Sequence, residues 1–144
     1  MGLSAPFGLT EGARVTIDSA PLIYFLEDHK VFKPLYAPLF QAEADGLLEF
    51  SLSAVAVAEV MTGPLKAGNE ALANRYRRAL SLWNIVVLDV EVAALAARLR
   101  AGHALKLPDA IHAATAIHSG SIALVTHDRD FSRLKGLRII NGGV

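Results

Sequence analysis

Short apolar runs alternate along this chain with longer stretches in which apolar positions recur three and four residues apart. The runs at 14–18 (RVTID), within 47–53 (LLEFSLS), at 84–89 (NIVVLD), at 122–126 (IALVT) and at 137–140 (LRII) are short and apolar, all but the second carry β-branched residues, and they predict strands. The stretches 21–28, about 33–46, 54–62, 69–83, 90–102 and 107 to about 119 predict helices. Ser53 stands where a helix N-cap belongs, and so does Asp89. Pro108 falls in a first turn, where its missing N–H does no harm, and Gly102 falls at a helix end. The run NIVVLD, apolar almost throughout, predicts a buried strand. Strands alternating with helices imply an α/β fold: a central parallel sheet of about five strands, with helices on both faces. In such sheets ligands gather beyond the carboxyl ends of the strands. Residues 1–12 are small, Gly-rich and aperiodic, which predicts a flexible lead-in to a single domain over 13–144.

Composition narrows the possibilities. Hydrophobic residues make up 53% of the 144 and charged residues only 19%, so an acid inside an apolar stretch needs a cause. The formal net charge of +0 gives no sign of a strongly basic nucleic-acid binder, although local patches remain open. Cysteine is absent, which removes disulfides, thiol nucleophiles and thiolate metal sites together. No apolar run approaches the roughly 18 residues that a membrane span needs. The opening residues MGLSAPFGLTEGAR place no basic segment before an apolar core, so a cytoplasmic protein without a secretory leader is expected.

Several acids lie where such chemistry would sit. Asp18 directly follows the first strand, although alone it also reads as an Asx turn or helix cap leading into Pro21. Glu59 has Val55 and Ala56 one turn before it and Val60 beside it, so its carboxylate is expected to be partly buried and in need of a partner or a cation. Asp109 sits in a helix's first turn, where the positive end of the dipole favours an ionised carboxylate. His112 lies one turn on, surrounded by alanines, and is expected to be a hydrogen-bonding support rather than a ligand. Thr126, Asp128 and Asp130 follow the strand IALV, where turn chemistry also favours aspartate. Gathering three or four carboxylates without a cation is unfavourable, because like charges raise each other's pKa. Oxygen donors, without Cys and without a His pair at zinc-motif spacing, point to Mg²⁺ or Mn²⁺. The reaction class that suits such a site is phosphodiester hydrolysis.

These acids, in this order, resemble the PIN-domain ribonucleases, and especially the VapC-type toxins of bacterial toxin–antitoxin pairs. The matching segments are VTIDSAPLIYFLE, SAVAVAEV with Ser53 ahead of Glu59, PDAIHAATA, and LVTHDRDFSRLKGLRII, which together span Arg14 to Ile140. The resemblance implies a PIN-like fold and a Mg²⁺- or Mn²⁺-dependent endoribonuclease acting on tRNA or ribosomal RNA. It implies that Asp18, Glu59, Asp109 and Asp128 are the catalytic, metal-binding acids, with Asp130 a further metal candidate. Thr126 matches a hydroxyl position that orients metal-bound water. His127 stands where many relatives have Asn or Arg, which leaves its role open. The resemblance also implies a homodimer and a small antitoxin protein that blocks the pocket.

RNA contact must then come from local charge. Arg129 and Arg133, beside the fourth acid, are candidates for phosphate contacts, with Lys135 close by, whereas Arg75, Arg77 and Arg78 read as solubilising surface. Two other functions remain to be weighed. A non-catalytic PIN-like module that binds RNA or protein would keep the fold without cutting. A phosphoacceptor receiver domain would use Asp89 at a strand end, but only Asp18 closes the first strand where such domains need an acid pair, and Asp89 is better explained as a helix cap.

Overall fold

The computed structural model describes residues 5–142, apart from the side chains of 132 and 133. Five parallel strands, β1 (Ala13–Ile17), β2 (Leu48–Ser53), β3 (Asn84–Val86), β4 (Ala123–Val125) and β5 (Arg138–Ile140), form one sheet in the order β3-β2-β1-β4-β5. Helices α1 (Ser19–Leu26), α2 (Lys33–Ala44), α3 (Ala54–Lys66), α4 (Glu70–Leu80), α5 (Val90–Gly102) and α6 (Leu107–His118) fill the connections, so the expected α/β architecture is present. Short 3₁₀ turns occupy Pro6–Gly8 and Arg129–Arg133.

A parallel sheet must be covered on both faces, and side chains alternate across it with a period of two. The interior strand β4 shows both rules: all of Ala123, Leu124 and Val125 are buried, but they serve different cores. Ala123 and Val125 join Val15, Ile17, Phe50 and Leu52 beneath α1 to α4, where Leu22, Tyr36, Phe40, Val60 and Leu80 pack. Leu124 faces the other cluster, with Val92 and Ala96 of α5, the alanines of α6, and Phe131. In α6 every residue from Ala110 to Thr115, and Ala116 after it, is buried. A helix enclosed on nearly all sides needs small residues for close approach, and Ala110, Ala113, Ala114 and Ala116 supply them.

Several local signals act as expected. Ser53 accepts the Val55 N–H through Oγ at 3.0 Å, and Asp89 accepts the Val92 N–H at 2.9 Å. Asp89 is therefore the cap of α5. Other boundaries differ. Helix α1 begins at Ser19, two residues early, because Asp18 caps it and Pro21 fits within its first turn. Helix α3 continues past Thr62 through Gly63 and Pro64, and stops before Gly68, whose φ of +73° suits the left-handed region. The predicted buried strand over 84–89 is corrected to a three-residue strand at the sheet edge, with Val87 68% exposed. An apolar run marks a strand but not its place in the sheet. Of the expected flexible lead-in, residues 1–4 lie outside the described residues. Ala5 and Leu9 are buried against the core beneath α1 to α4.

Removing the α5 cap tests this assignment. Asp89→Ala is expected to lower stability in urea unfolding by about 1 kcal/mol, the usual loss for such a cap. An unchanged midpoint with an unchanged slope would show that the Asp89 carboxylate does not hold α5.

Candidate metal centre

The sheet order runs outward from β1 in one direction through β2 and β3, and in the other through β4 and β5. The carboxyl ends of β1 and β4 therefore flank the point where the chain's winding reverses, the usual ligand crevice of such sheets. Asp18 leaves β1 at that point, its N–H still donating to Val125 O at 2.8 Å. Its carboxylate is fixed on two sides. Oδ1 accepts the Ser19 N–H at 2.7 Å, and Oδ2 accepts the Thr126 hydroxyl at 2.8 Å.

Thr126 is fully buried and has a single proton, which goes to Asp18. Its oxygen in turn accepts the Asp128 N–H at 3.0 Å. The group that Thr126 orients in this structure is thus the Asp18 carboxylate, together with the turn carrying Asp128. Asp128 itself caps the 3₁₀ turn by accepting the Asp130 N–H at 2.9 Å. It is half-buried and lines the crevice, whereas Asp130 is exposed and does not.

Glu59 and His112 arrive from α3 and α6. His112 is completely buried, and its Nε2 lies 2.7 Å from Glu59 Oε1 and 3.3 Å from Asp18 Oδ1. One imidazole thus sits between carboxylates from two different elements, which is the support expected of it. Burial alone would depress the His112 pKa, but the Glu59 hydrogen bond and the Asp18, Glu59 and Asp109 charges outweigh it and hold the imidazole above its ordinary value. In reply, the hydrogen bond from His112 holds Glu59 below the usual glutamate value, against its burial and with help from the Ser19 hydroxyl. The partner that Glu59 requires is therefore His112. Its other nitrogen, Nδ1, has no hydrogen-bond partner among the described residues.

Asp109 departs from expectation. Its first-turn position at α6 favours ionisation, but burial comes first among the causes that push its pKa up to about 6, followed by the charges of Asp18 and Asp128. His112 opposes this and Glu59 adds to it. A helix dipole is worth a fraction of what several nearby carboxylates cost.

Asp18, Asp109 and Asp128 line an open cleft of about 530 Å³, together with Ser19, Ala20, Tyr24, His127 and Arg129. Donor atoms of Asp18, Glu59 and His112 lie within 4.8 Å of one another, but the His112 nitrogen facing these acids is the one bonded to Glu59, so the carboxylates are what this cluster offers an ion. These donors are carboxylate oxygens, and Asp109 is pushed up first by burial and then by the charges of Asp18 and Asp128, which a hard divalent cation would neutralise, so the residues present fit such an ion. The side chain of Arg133 lies outside the described residues; Arg129 is exposed at the cleft. Arg75, Arg77 and Arg78 are on the exposed face of α4, as expected for solubilising surface. Ser19, Tyr24 and Tyr36 are further site groups that sequence patterning did not single out. The only hint was their position just after the first acid or in an aromatic-rich helix. Among the described residues no helix is long and apolar enough to cross a membrane.

The family model described as the PIN domain matches residues 15–137. Among solved structures, a toxin–antitoxin complex from Klebsiella pneumoniae is 29% identical, with a TM-score of 0.70 over 89% of this chain and 97% of that one. DNA-bound VapBC from Salmonella typhimurium is 20% identical, with a TM-score of 0.71 over 88% and 96%. VapC20 from Mycobacterium tuberculosis, described as a toxin that cleaves the sarcin–ricin loop, is 14% identical, with a TM-score of 0.66 over 86% and 98%. No curated protein matches the sequence. The family match covers every acid of the cleft, together with the strands and helices that carry them: this chain belongs to the PIN domain family.

Proposed function

We propose that this protein is a metal-dependent endoribonuclease, the toxin of a toxin–antitoxin pair. The observation that carries the reading is the convergence of Asp18, Asp109 and Asp128 on one cleft, with Glu59 behind them and Asp109 pushed up to about 6. An assembly of acids that unfavourable is understandable as a cation site. The ion is Mg²⁺ or Mn²⁺, held by Asp18, Glu59, Asp109 and Asp128. When bound, it supplies a water of lowered pKa and neutralises charge on the phosphate and its leaving oxygen.

The chain's own residues prepare the site for this. Thr126 and the Ser19 N–H fix both oxygens of Asp18, so the carboxylate faces the cleft in one orientation. His112 holds Glu59 at 2.7 Å and so sets how far that acid reaches toward Asp18. Arg129 at the rim attracts the RNA backbone into a cleft that acids would otherwise make repulsive, and Arg133 is a second candidate. Asp130, exposed outside the cleft, is left as a capped-turn residue and an outer candidate at most. The substrate is RNA, and the partners are a cognate antitoxin protein and a second copy of this chain. The toxin–antitoxin neighbour at 29% identity supports the antitoxin partner. The compartment is the cytoplasm.

Cleavage of RNA is expected to require Mg²⁺ or Mn²⁺, to stop with EDTA, and to fall on the order of 100-fold or more in Asp18→Asn and in Asp109→Asn. Gel assays on total RNA measure this. Cutting that persists in both variants would overturn the assignment, and an intact protein that binds RNA but never cuts would favour a binding module.

Arg129→Ala is expected to weaken RNA binding and to flatten the dependence of log affinity on log salt by about one unit, the amount for one lost phosphate contact. An unchanged slope would remove Arg129 from the RNA path.

The acids also make a prediction about stability without metal. A folded value of about 6 for Asp109, against an ordinary 3.8, means that the native state holds this proton more tightly than the unfolded state. The resulting stabilisation is present below about pH 4 and is lost as pH rises through about 6. In EDTA at pH 8, Asp109→Asn is therefore expected to be more stable than the parent by about 1 kcal/mol after solvent screening, with the gap reduced to about half by pH 5 and closing only below about pH 4. Urea titrations at the two pH values decide it; a variant less stable at pH 8 would contradict the electrostatic account.

A further inference from the structure

The cleft holds two side chains that neither metal binding nor phosphate attraction requires: Tyr24 and His127 line it beside Asp18, Asp109 and Asp128. Their rings stand 5.1 Å apart at 82°. Behind them Phe32 lies 4.9 Å from Tyr24 and 4.5 Å from His127, and Tyr36 lies 5.9 Å from His127. This cluster is not closed off as a core would be. Tyr36 is fully buried, but Tyr24, Phe32 and His127 are each only half-buried, and Tyr24 and His127 keep surface in the cleft.

His127 is also held in place. Its Nδ1 lies 2.6 Å from the Tyr36 hydroxyl, which is itself within 3.2 Å of the Thr126 and Asn141 carbonyls. Burial, with smaller contributions from Tyr24 and Asp18, pushes the Tyr36 pKa up, so the phenol remains a neutral group with one proton. Among the described residues Tyr36 is the only polar partner of the His127 ring, which leaves Nε2 for a ligand. A ring fixed before binding loses little freedom when a flat group stacks on it.

We propose that Tyr24 and His127 form a nucleobase subsite, which takes one unpaired base of the RNA next to the phosphate placed at the acids. The inference rests on the endoribonuclease reading for the identity of its ligand. Aromatic side chains hold single-stranded bases through their π faces, largely without regard to sequence, whereas a base inside a duplex is already stacked. The cleft's 530 Å³ has room for a nucleotide rather than for a phosphate alone. The subsite thus favours loops and single strands over helical RNA.

The test uses a fluorescein-labelled, random-sequence single-stranded RNA ten-mer and an abasic ten-mer with the same ribose–phosphate backbone. Binding of both is titrated by anisotropy in a Ca²⁺ buffer, with the RNA checked for integrity afterwards. The parent protein is expected to bind the base-bearing strand about 10-fold more tightly. That ratio is expected to fall toward one in Tyr24→Ala and in His127→Ala, and to be largely retained in His127→Phe. Tyr24→Leu and His127→Leu, which are apolar but lack a π face, take their place if an alanine variant melts early. A parent ratio near one, or an undiminished ratio in the variants without a ring, would overturn the subsite. Cleavage by the parent in Mn²⁺ is scored separately. A retained base preference without cleavage would sink the ribonuclease reading alone, and cleavage without base preference would sink the subsite alone.

Discussion

The contact on which the site depends is the bond from the buried His112 imidazole to Glu59, with Asp18 on its other side. It joins α6 to α3 and to the end of β1, three elements that are far apart in sequence. A buried imidazole and a half-buried carboxylate are each costly alone, and removing one partner leaves the other uncompensated, at a cost that solvent around the 35%-exposed Glu59 side chain lowers below that of a fully buried pair. The pair therefore constrains how α3 and α6 sit on the sheet, and the Asp18 carboxylate cannot be placed independently of either. Its remaining freedom is removed by Thr126 and the Ser19 N–H. The preorganisation of the cleft follows from this small set of bonds.

Helix α6 shows how packing and chemistry share one segment. Its alanines let it lie close under β4 and α5, with the stretch from Ala110 to Ala116 enclosed. That approach brings the first turn, with Asp109, to the carboxyl end of the sheet. The same enclosure withdraws water from Asp109 and sets it among other acids, which raises its pKa. The site is thus made at some expense of local stability, and the two apolar cores on either face of the sheet hold it together.

Most of the fold was legible because its signals are local. Strand runs, helix periodicity, and the caps at Ser53 and Asp89 each depend on neighbours in sequence. The place of β3 at the sheet edge was not legible, since an apolar run looks the same at an edge as in the centre. The acids Asp18, Glu59, Asp109 and Asp128 were legible as polar exceptions at strand ends or in apolar helices. What they do to each other was not. No spacing rule links Glu59 to a histidine 53 positions away, and the charge state of Asp109 depends on groups from three other elements. The difference between Asp128 and Asp130 was equally closed to sequence, because both fit a turn; only the folded chain half-buries Asp128 in the cleft and leaves Asp130 exposed outside it.

The aromatic cluster was illegible for a related reason. Tyr24, Phe32 and Tyr36 fall close together in sequence while His127 lies far along the chain, and each reads as ordinary core or loop when taken singly. Only the return of β4 beside β1 brings the turn bearing His127 over the α1 and α2 aromatics, with Tyr36 linking the two layers through its hydroxyl. The pairing that places Thr126 on Asp18 also places His127 on Tyr36, one residue further along. The acidic half and the aromatic half of the cleft are therefore positioned by adjacent residues of a single turn. A shift of that turn cannot alter one half without the other.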